Sequence, residues 1–285
     1  MRPGAWRLGF SVLLAAALTG PVPADASTLP PEVQSFARYL PEYFSKLENI
    51  LATETTTETL LNDTNGNGTV LRKRVLVSDY QIAHLGENPA ALWEFRFVRS
   101  VDGQTLPDAD RKIEDFFRLR HPSAAAERRS IVELASNESL PGCYWHNLTL
   151  VLLAFGDGPN ENFDWTPKDG GFQFRQVRGL GIPEDLFNPK SPRHYPSGSV
   201  NLYPDGHSPQ RIELEFRTDV RRIRIHFEFS PPGPPDFVAL PLSYEVDGDR
   251  VTMMGFNPES RVRFQYSNIR RFSVSTEEAL PPATK

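Results

Sequence analysis

Asp63, Asn65 and Asn67, followed by Gly68 in the stretch "NDTNGNGT", have the spacing of the first oxygen ligands of an EF-hand calcium loop. Such a loop also needs a bidentate carboxylate at its twelfth position and a helix on each side. Counting from Asp63, the twelfth residue is Arg74, a cation where two anionic oxygens are required. The following "VLRKRVLV" reads as a strand. Asn-Gly favours the positive φ angles of tight turns, so the stretch is read as a hairpin tip and no metal is assigned to it.

Nucleophilic chemistry has no stronger foothold. There is no G-x-S-x-G elbow. Cys143 is the only cysteine and lies three residues before His146, but a lone cysteine usually packs as a small apolar side chain. His194 and His207 fall in a proline-rich stretch without metal-ligand spacing. The neighbouring carboxylates Asp108/Asp110 and Glu114/Asp115 belong to exposed sides of a turn or helix. No catalytic residue and no cofactor are therefore assigned. Arg221, Arg222, Arg224, Arg261, Arg263, Arg270 and Arg271 could form a basic footprint for an anionic surface or an acidic partner. Cross-strand pairing with Glu213, Glu215 and Glu228 is the favoured alternative.

The remaining chemical feature is aromatic, with 19 Phe, 8 Tyr and 4 Trp. Core packing accounts for most of these rings. A sheet face lined with rings and left partly unfilled would instead receive an apolar ligand. The residues assigned to such a face are Trp93, Phe95, Phe97, Ile223, Ile225, Phe227, Val262, Phe264 and Tyr266.

These side chains need elements to position them. From Val33 to Leu51, apolar residues recur at spacings of three and four, which predicts a helix bent or interrupted at Pro41. Leu71 to Tyr80 is the next clear element. Leu92 to Val101 predicts a half-buried strand with Trp93, Phe95, Phe97 and Val101 on the buried face and Glu94, Arg96 and Ser100 on the solvated one, ending at the turn "VDG". Helices are predicted over 110–120, over 122–139 and, shorter, near Asn147. From Gly171 onward the period is two: "RIELEF", "RRIRIHFEF" and "VRFQY" alternate apolar with polar residues, as strands of an antiparallel sheet do. Residues 156–170 and 182–209 are polar or proline-rich and predict long irregular connections.

The chain begins with Arg2 and Arg7 around the start of an apolar run from Leu8 to Leu18, followed by Ala24-Asp25-Ala26, the pattern of an export signal. That run is too short to span a bilayer, which takes about 20 residues. The net charge of −5 moves to −6 without residues 1–26, which carry two arginines and one aspartate. Such a balance argues against general nucleic-acid binding. One cysteine permits no intramolecular disulfide. The roughly 260 residues that follow the export signal suffice for one large core or two modest ones, and one domain is favoured.

The order "LVSDY", "WEFRFVRSVDG", "ASNES", "HNLTLVLL" and "YSNIRRFSVSTEE", spanning about Leu71 to Glu278, resembles a family of exported bacterial proteins of the acidobacterial type with no assigned activity. The order of elements is similar, more distantly, to the periplasmic carriers of outer-membrane lipoproteins. That resemblance implies an α+β fold in which a strongly curved, open antiparallel sheet wraps several helices, with an apolar cavity on its concave side. The expected division is a signal peptide at 1–26, an N-terminal helix at 27–52, one carrier-like domain at 53–278 and a tail at 279–285. The function expected first is non-catalytic binding of a lipid or lipidated partner by a protein exported to the periplasm or beyond, without a membrane anchor and in peripheral contact with the envelope. An envelope interaction protein with a filled core is the alternative, and a hydrolase of unknown type the third.

Overall fold

The structure is a computed structural model that describes residues 29–47, 50–62, 68–84, 92–118, 138–140, 162–178, 182–183, 193–217, 221–233, 240–252 and 255–271. The predicted export signal, Cys143, His146, the helix expected near Asn147 and all but the last two residues of the helix expected over 122–139 lie outside these residues, as does most of the "NDTNGNGT" loop; Glu138 and Ser139 form a turn and a bend.

The first element is α1, Pro31–Leu47. Pro31 suits the first helical position, because its missing N–H has no intrahelical partner there. Val33, Phe36, Leu40, Tyr43 and Leu47 form a stripe that is at most 3% exposed. Each such side chain contributes about 1.5–3 kcal/mol of gross burial energy. The helix continues through Pro41, which lies on its exposed side, where water can satisfy the carbonyl that loses its N–H donor. It stops at Leu47. Ile50 and Leu51, predicted to extend it, open a strand instead.

The chain then builds one antiparallel sheet from β1 (Ile50–Asn62), β2 (Thr69–His84), β3 (Leu92–Val101), β4 (Gln104–Thr105), β5 (Phe163–Lys168), β6 (Gly171–Gln176), β9 (Ser197–Leu202), β10 (Pro209–Arg217), β11 (Arg221–Phe229), β12 (Pro241–Thr252) and β13 (Gly255–Arg271). β7 (Ile182–Pro183) and β8 (Arg193–His194) form a separate two-residue pair. The eleven strands run β4-β3-β2-β1-β13-β12-β11-β10-β9-β6-β5, and the two ends of the sheet do not meet. The chain thus lays down β1 to β3 on one side, crosses to the far edge, and returns by β9 to β13 until β13 pairs with β1. At the β3–β4 turn Asp102 and Gly103 both have positive φ, 50° and 80°, the geometry that a two-residue Asp-Gly hairpin favours. Gly198 in β9 has a different reason: a Cβ there would sit 1.8 Å from the carbonyl oxygen of Glu213.

α1 packs on one face of this sheet, termed here the inner face. Phe36 meets Phe172 at 5.6 Å between ring centroids, and Tyr43 meets Phe229 at 6.4 Å. The second described helix, α2 (Ala109–Arg118), lies against β3. Arg99 donates to Asp79 at 2.7 Å and pairs with Asp110, which ties α2 to β2 and β3.

The expectation of an α+β fold with a sheet wrapping several helices is therefore corrected. The described chain is mostly one open eleven-stranded antiparallel sheet with two short helices. Strands occupy segments that had looked irregular: β5 falls within 156–170, and β9 within 182–209. β1 escaped notice for a related reason. Its sequence "ILATETTTETLLN" alternates, but its inward positions carry charge.

Candidate functional site

Antiparallel pairing places directly opposed residues on one face, so the register assigns every side chain to the inner or outer side. β13 sets Val262, Phe264 and Tyr266 opposite Glu58, Thr56 and Glu54 of β1. β12 sets Tyr244 opposite both Phe264 and Phe227. Ile223, Ile225 and Phe227 join the same inner face through Phe216, Leu214 and Ile212 of β10. Six of the nine residues expected on a ligand face are thus brought together, all between 0% and 9% exposed.

Phe95 and Phe97 are not among them. On β2, Tyr80 and Ile82 face inward, and their partners on β3 are Arg96 and Glu94. Phe95 and Phe97 therefore point to the outer side, where their rings stack at 6.1 Å. Trp93 shares their alternation, opposite Ala83, and its side chain lies outside the description. The assignment of Glu94 and Arg96 to the solvated face is reversed: they are 3% exposed and look inward. β3 is covered on both sides, and a register shift opposite Val77/Ser78 accounts for the break in alternation at Val98 and Arg99.

The inward charges meet. Arg96 Nε donates to both carboxylate oxygens of Glu54, at 2.9 and 3.0 Å. Its Nη2 donates to Glu94 Oε2 at 3.1 Å and lies 3.5 Å from the Tyr244 hydroxyl. Tyr80 donates to the same Glu94 oxygen at 2.9 Å. The guanidinium also lies over the rings of Tyr80 and Phe264, 5.0 and 5.5 Å from their centroids. Four residues further along β1, Glu58 accepts the backbone N–H of Leu140 at 2.7 Å, which closes the segment 138–140 over this part of the face.

Burial pushes the Glu54 carboxyl above its ordinary value of 4.5; Arg96 opposes the shift, and the charge of Glu94 adds to it. Burial alone would lower the Arg96 guanidinium, but Glu54, Tyr244 and Glu94 outweigh it and hold the group well above its usual range. Tyr43, Tyr80, Tyr244 and Tyr266 are raised well above theirs, first of all by burial, so they stay neutral. The cluster is an ion triad with one excess negative charge when both glutamates are ionised. It fastens β3 to β1 across β2, and it can take up a proton at Glu54. It offers no exposed atom to a substrate.

The sign of the pH effect follows from the raised Glu54. Between pH 4.5 and its folded value, native Glu54 keeps a proton that the unfolded chain has released. Its contribution to stability is present at acid pH and is lost as pH rises through the folded value. In urea unfolding at a series of pH values, the wild type should lose stability relative to Glu54→Gln across that interval. Parallel profiles for the two proteins would refute the assignment.

The outer face is an ion-pair ladder. Arg222 donates to Asp249 at 2.8 Å, Arg261 to Asp247 at 2.8 Å, and Arg224 lies 3.4 Å from Asp247. Of the seven arginines, Arg222, Arg224 and Arg261 are thus paired across strands, with partners on β12 in place of the expected Glu213, Glu215 and Glu228. Among the other candidates, His194 stacks on Phe216 at 6.4 Å, and His207 lies in the β9–β10 turn beside Asp205. No group of three or more His, Cys, Asp or Glu among the described residues could hold a metal ion. None of the described helices is long and apolar enough to cross a membrane.

Sequence reasoning missed Glu54, Glu58, Tyr80, Glu94, Arg96 and Tyr244. The available signal was the period of two through "TETTTETL", with Glu at alternate positions of one face and Thr filling the other. Compared with known proteins, the chain matches no family model, no curated protein and no solved structure.

Proposed function

We propose that this is an exported, non-catalytic interaction protein whose sheet has a filled inner face and which acts through its surface. The observation that carries this reading is the packing of the residues expected to line a ligand space. Tyr244 and Phe264 stack at 4.0 Å with an interplanar angle of 8°, Phe227 stacks on Tyr244 at 5.1 Å, and Phe227 and Phe264 are both 0% exposed. α1 covers one part of the face, and Leu140 closes toward it at Glu58. A carrier of apolar ligands would need unfilled space beside these rings. The export signal read from residues 1–26 supports the location, and the sealed charge cluster supports the absence of catalysis.

A packed ring and a ring lining a void differ in what truncation costs. Phe264→Ala should destabilise by about 3–5 kcal/mol, the range for a tightly packed phenylalanine. The wild type should show no saturable binding of a hydrophobic fluorescent probe in its native state. Denaturant unfolding and probe titration on the two proteins check both statements. Saturable probe binding that shifts in the variant, with a loss below about 1 kcal/mol, would favour an apolar-ligand carrier instead.

A further inference from the structure

Two β-bulges flank the end of β11. On β10, Pro209 pairs with Leu202 and Arg211 with Asn201, so Gln210 is an extra residue with no partner on β9. On β12, Ser243 pairs with Glu228 and Pro241 with Phe229, so Leu242 is an extra residue with no partner on β11. A bulge re-aims a side chain, and bulges recur beside functional sites. Here Gln210 is exposed next to the outer-face residue Arg211, and Leu242, 56% exposed, stands next to Ser243. Between the two bulges lies a cavity of about 400 Å³, lined among others by Asn201, Tyr203, Gln210, Arg211, Glu228 and Leu242. Sites for small ligands run from about 300 to 1,000 Å³.

The lining is held in place from behind. The Tyr203 hydroxyl donates to the Phe229 carbonyl at 2.8 Å, which fixes the ring at the end of β11. In the β9–β10 turn, the Tyr203 N–H donates to the Ser208 carbonyl at 2.9 Å, and Asp205 Oδ1 accepts the N–H groups of His207 and Ser208, each at 2.9 Å. Arg211 Nη2 lies 2.7 Å from Glu213, and its Nε lies 3.4 Å from His226 Nδ1. His226 Nε2 lies 3.3 Å from Glu228 Oε1. An imidazole with its proton on Nε2 accepts from Arg211 and donates to Glu228, so one ring orients both charged groups. The side-chain amides of Asn201 and Gln210 make no hydrogen bond among the described residues.

The lining holds one cation and one anion, so it gives a charged ligand of either sign no net attraction. It does offer two amides, each both donor and acceptor, with further donors on Arg211 and further acceptors on Glu228. Hydroxyl groups donate and accept at once, and neighbouring hydroxyls on a ring suit the paired polar atoms of amide, guanidinium and carboxylate. Leu242 and the Tyr203 ring add apolar surface for the C–H groups of the same ring. An extended peptide also carries donors and acceptors, but it is met best by a strand edge. The strands that line this cavity lie within the sheet, where their backbone groups are engaged in the ladders.

We propose that this cavity on the outer face binds a neutral carbohydrate chain, with Asn201, Gln210, Arg211 and Glu228 as hydroxyl contacts and Leu242 and Tyr203 as the apolar platform. This rests on the reading of the protein as one that acts through its surface, and it names the surface and the partner. Because the ligand carries no charge, the contact is insensitive to salt.

The test is affinity electrophoresis of the full chain through gels that hold glycogen, a mixed-linkage β-glucan, a galactomannan or a xylan. Polygalacturonate and gelatin serve as the anionic and polypeptide comparators. The wild type should be retarded by at least one of the four neutral polysaccharides, at low and high salt alike. Asn201→Ala with Gln210→Ala should weaken that binding by about twentyfold, at roughly fivefold per lost hydrogen bond. Leu242→Ser should weaken it severalfold. Thermal midpoints should stay near the wild-type value, because none of the three side chains is buried. Free migration through all four neutral gels, or variants retarded like the wild type, would overturn the proposal. So would retardation by polygalacturonate or gelatin alone. Titration of a hydrophobic fluorescent probe into the same proteins keeps the two readings apart. Saturable probe binding would sink the filled-face reading, whereas absence of both probe binding and retardation would sink the carbohydrate proposal alone.

Discussion

Arg96→Met should destabilise the protein by about 3–5 kcal/mol at neutral pH, the range for removing one partner of a buried ion pair. The guanidinium is the group that Glu54 and Glu94 share, and all three side chains are at most 3% exposed. Without it two carboxylates remain in the interior with tyrosine hydroxyls and Thr56 for company. Glu54, already raised by burial, would be pushed further toward its protonated form, so the folded variant would bind a proton that its unfolded chain releases. The loss should accordingly shrink as pH is lowered toward the ordinary glutamate range. Adding Glu54→Gln and Glu94→Gln should recover much of the loss at neutral pH, because a neutral cluster has no uncompensated charge to bury. Urea unfolding of the single and triple variants at two pH values decides this. A loss that is small, or identical at both pH values, would mean that the triad is not buried as described.

Phe227→Asp should abolish folding, whereas Arg224→Glu, on the same strand but on its other face, should cost about 1 kcal/mol. Phe227 is 0% exposed, between the rings of Tyr244 and Phe229 and opposite Ile212. A carboxylate there has no cation to pair with and displaces a ring from the stack. Arg224 keeps 45% of its side chain in water and lies 3.4 Å from Asp247 and 3.5 Å from Asp249, so its reversal adds a like charge beside two carboxylates while leaving that charge in reach of water. Circular dichroism and thermal melts of the two variants should differ by the whole folding transition. Similar melts would refute the inner and outer assignment of β11, and with it the position of every ring in the stack.

The two variants also mark what the sequence could and could not convey. Where one face of a strand is apolar and the other charged, alternation alone assigns the faces. "RRIRIHFEF", "RIELEF" and "VRFQY" therefore placed Ile223, Ile225, Phe227, Leu214 and Phe264 correctly on the buried side, and the stripe of α1 was legible by the same logic at period 3.6. β3 is different, because both of its faces are buried. Alternation still sorted Phe95 and Phe97 from Glu94 and Arg96, but hydrophobicity then chose the wrong set for the face that carries the main core. Whether a charge is buried depends on what stands across from it. Arg96 looks inward because Glu54 lies across β2 and can receive it, and those residues are 42 positions apart in the chain. The same holds for β1, whose period of two was present in the sequence while the meaning of its glutamates was not. Local sequence determined the period of the strands, the apolar stripe of the helix and the Asp-Gly turn, since these depend on neighbours within a few residues. Tertiary structure alone decided that the long N-terminal hairpin joins the C-terminal meander in one open sheet, and that its inner face holds an ion triad beside a ring stack. These are outcomes of contacts between distant segments, and no local pattern encodes which segments will meet.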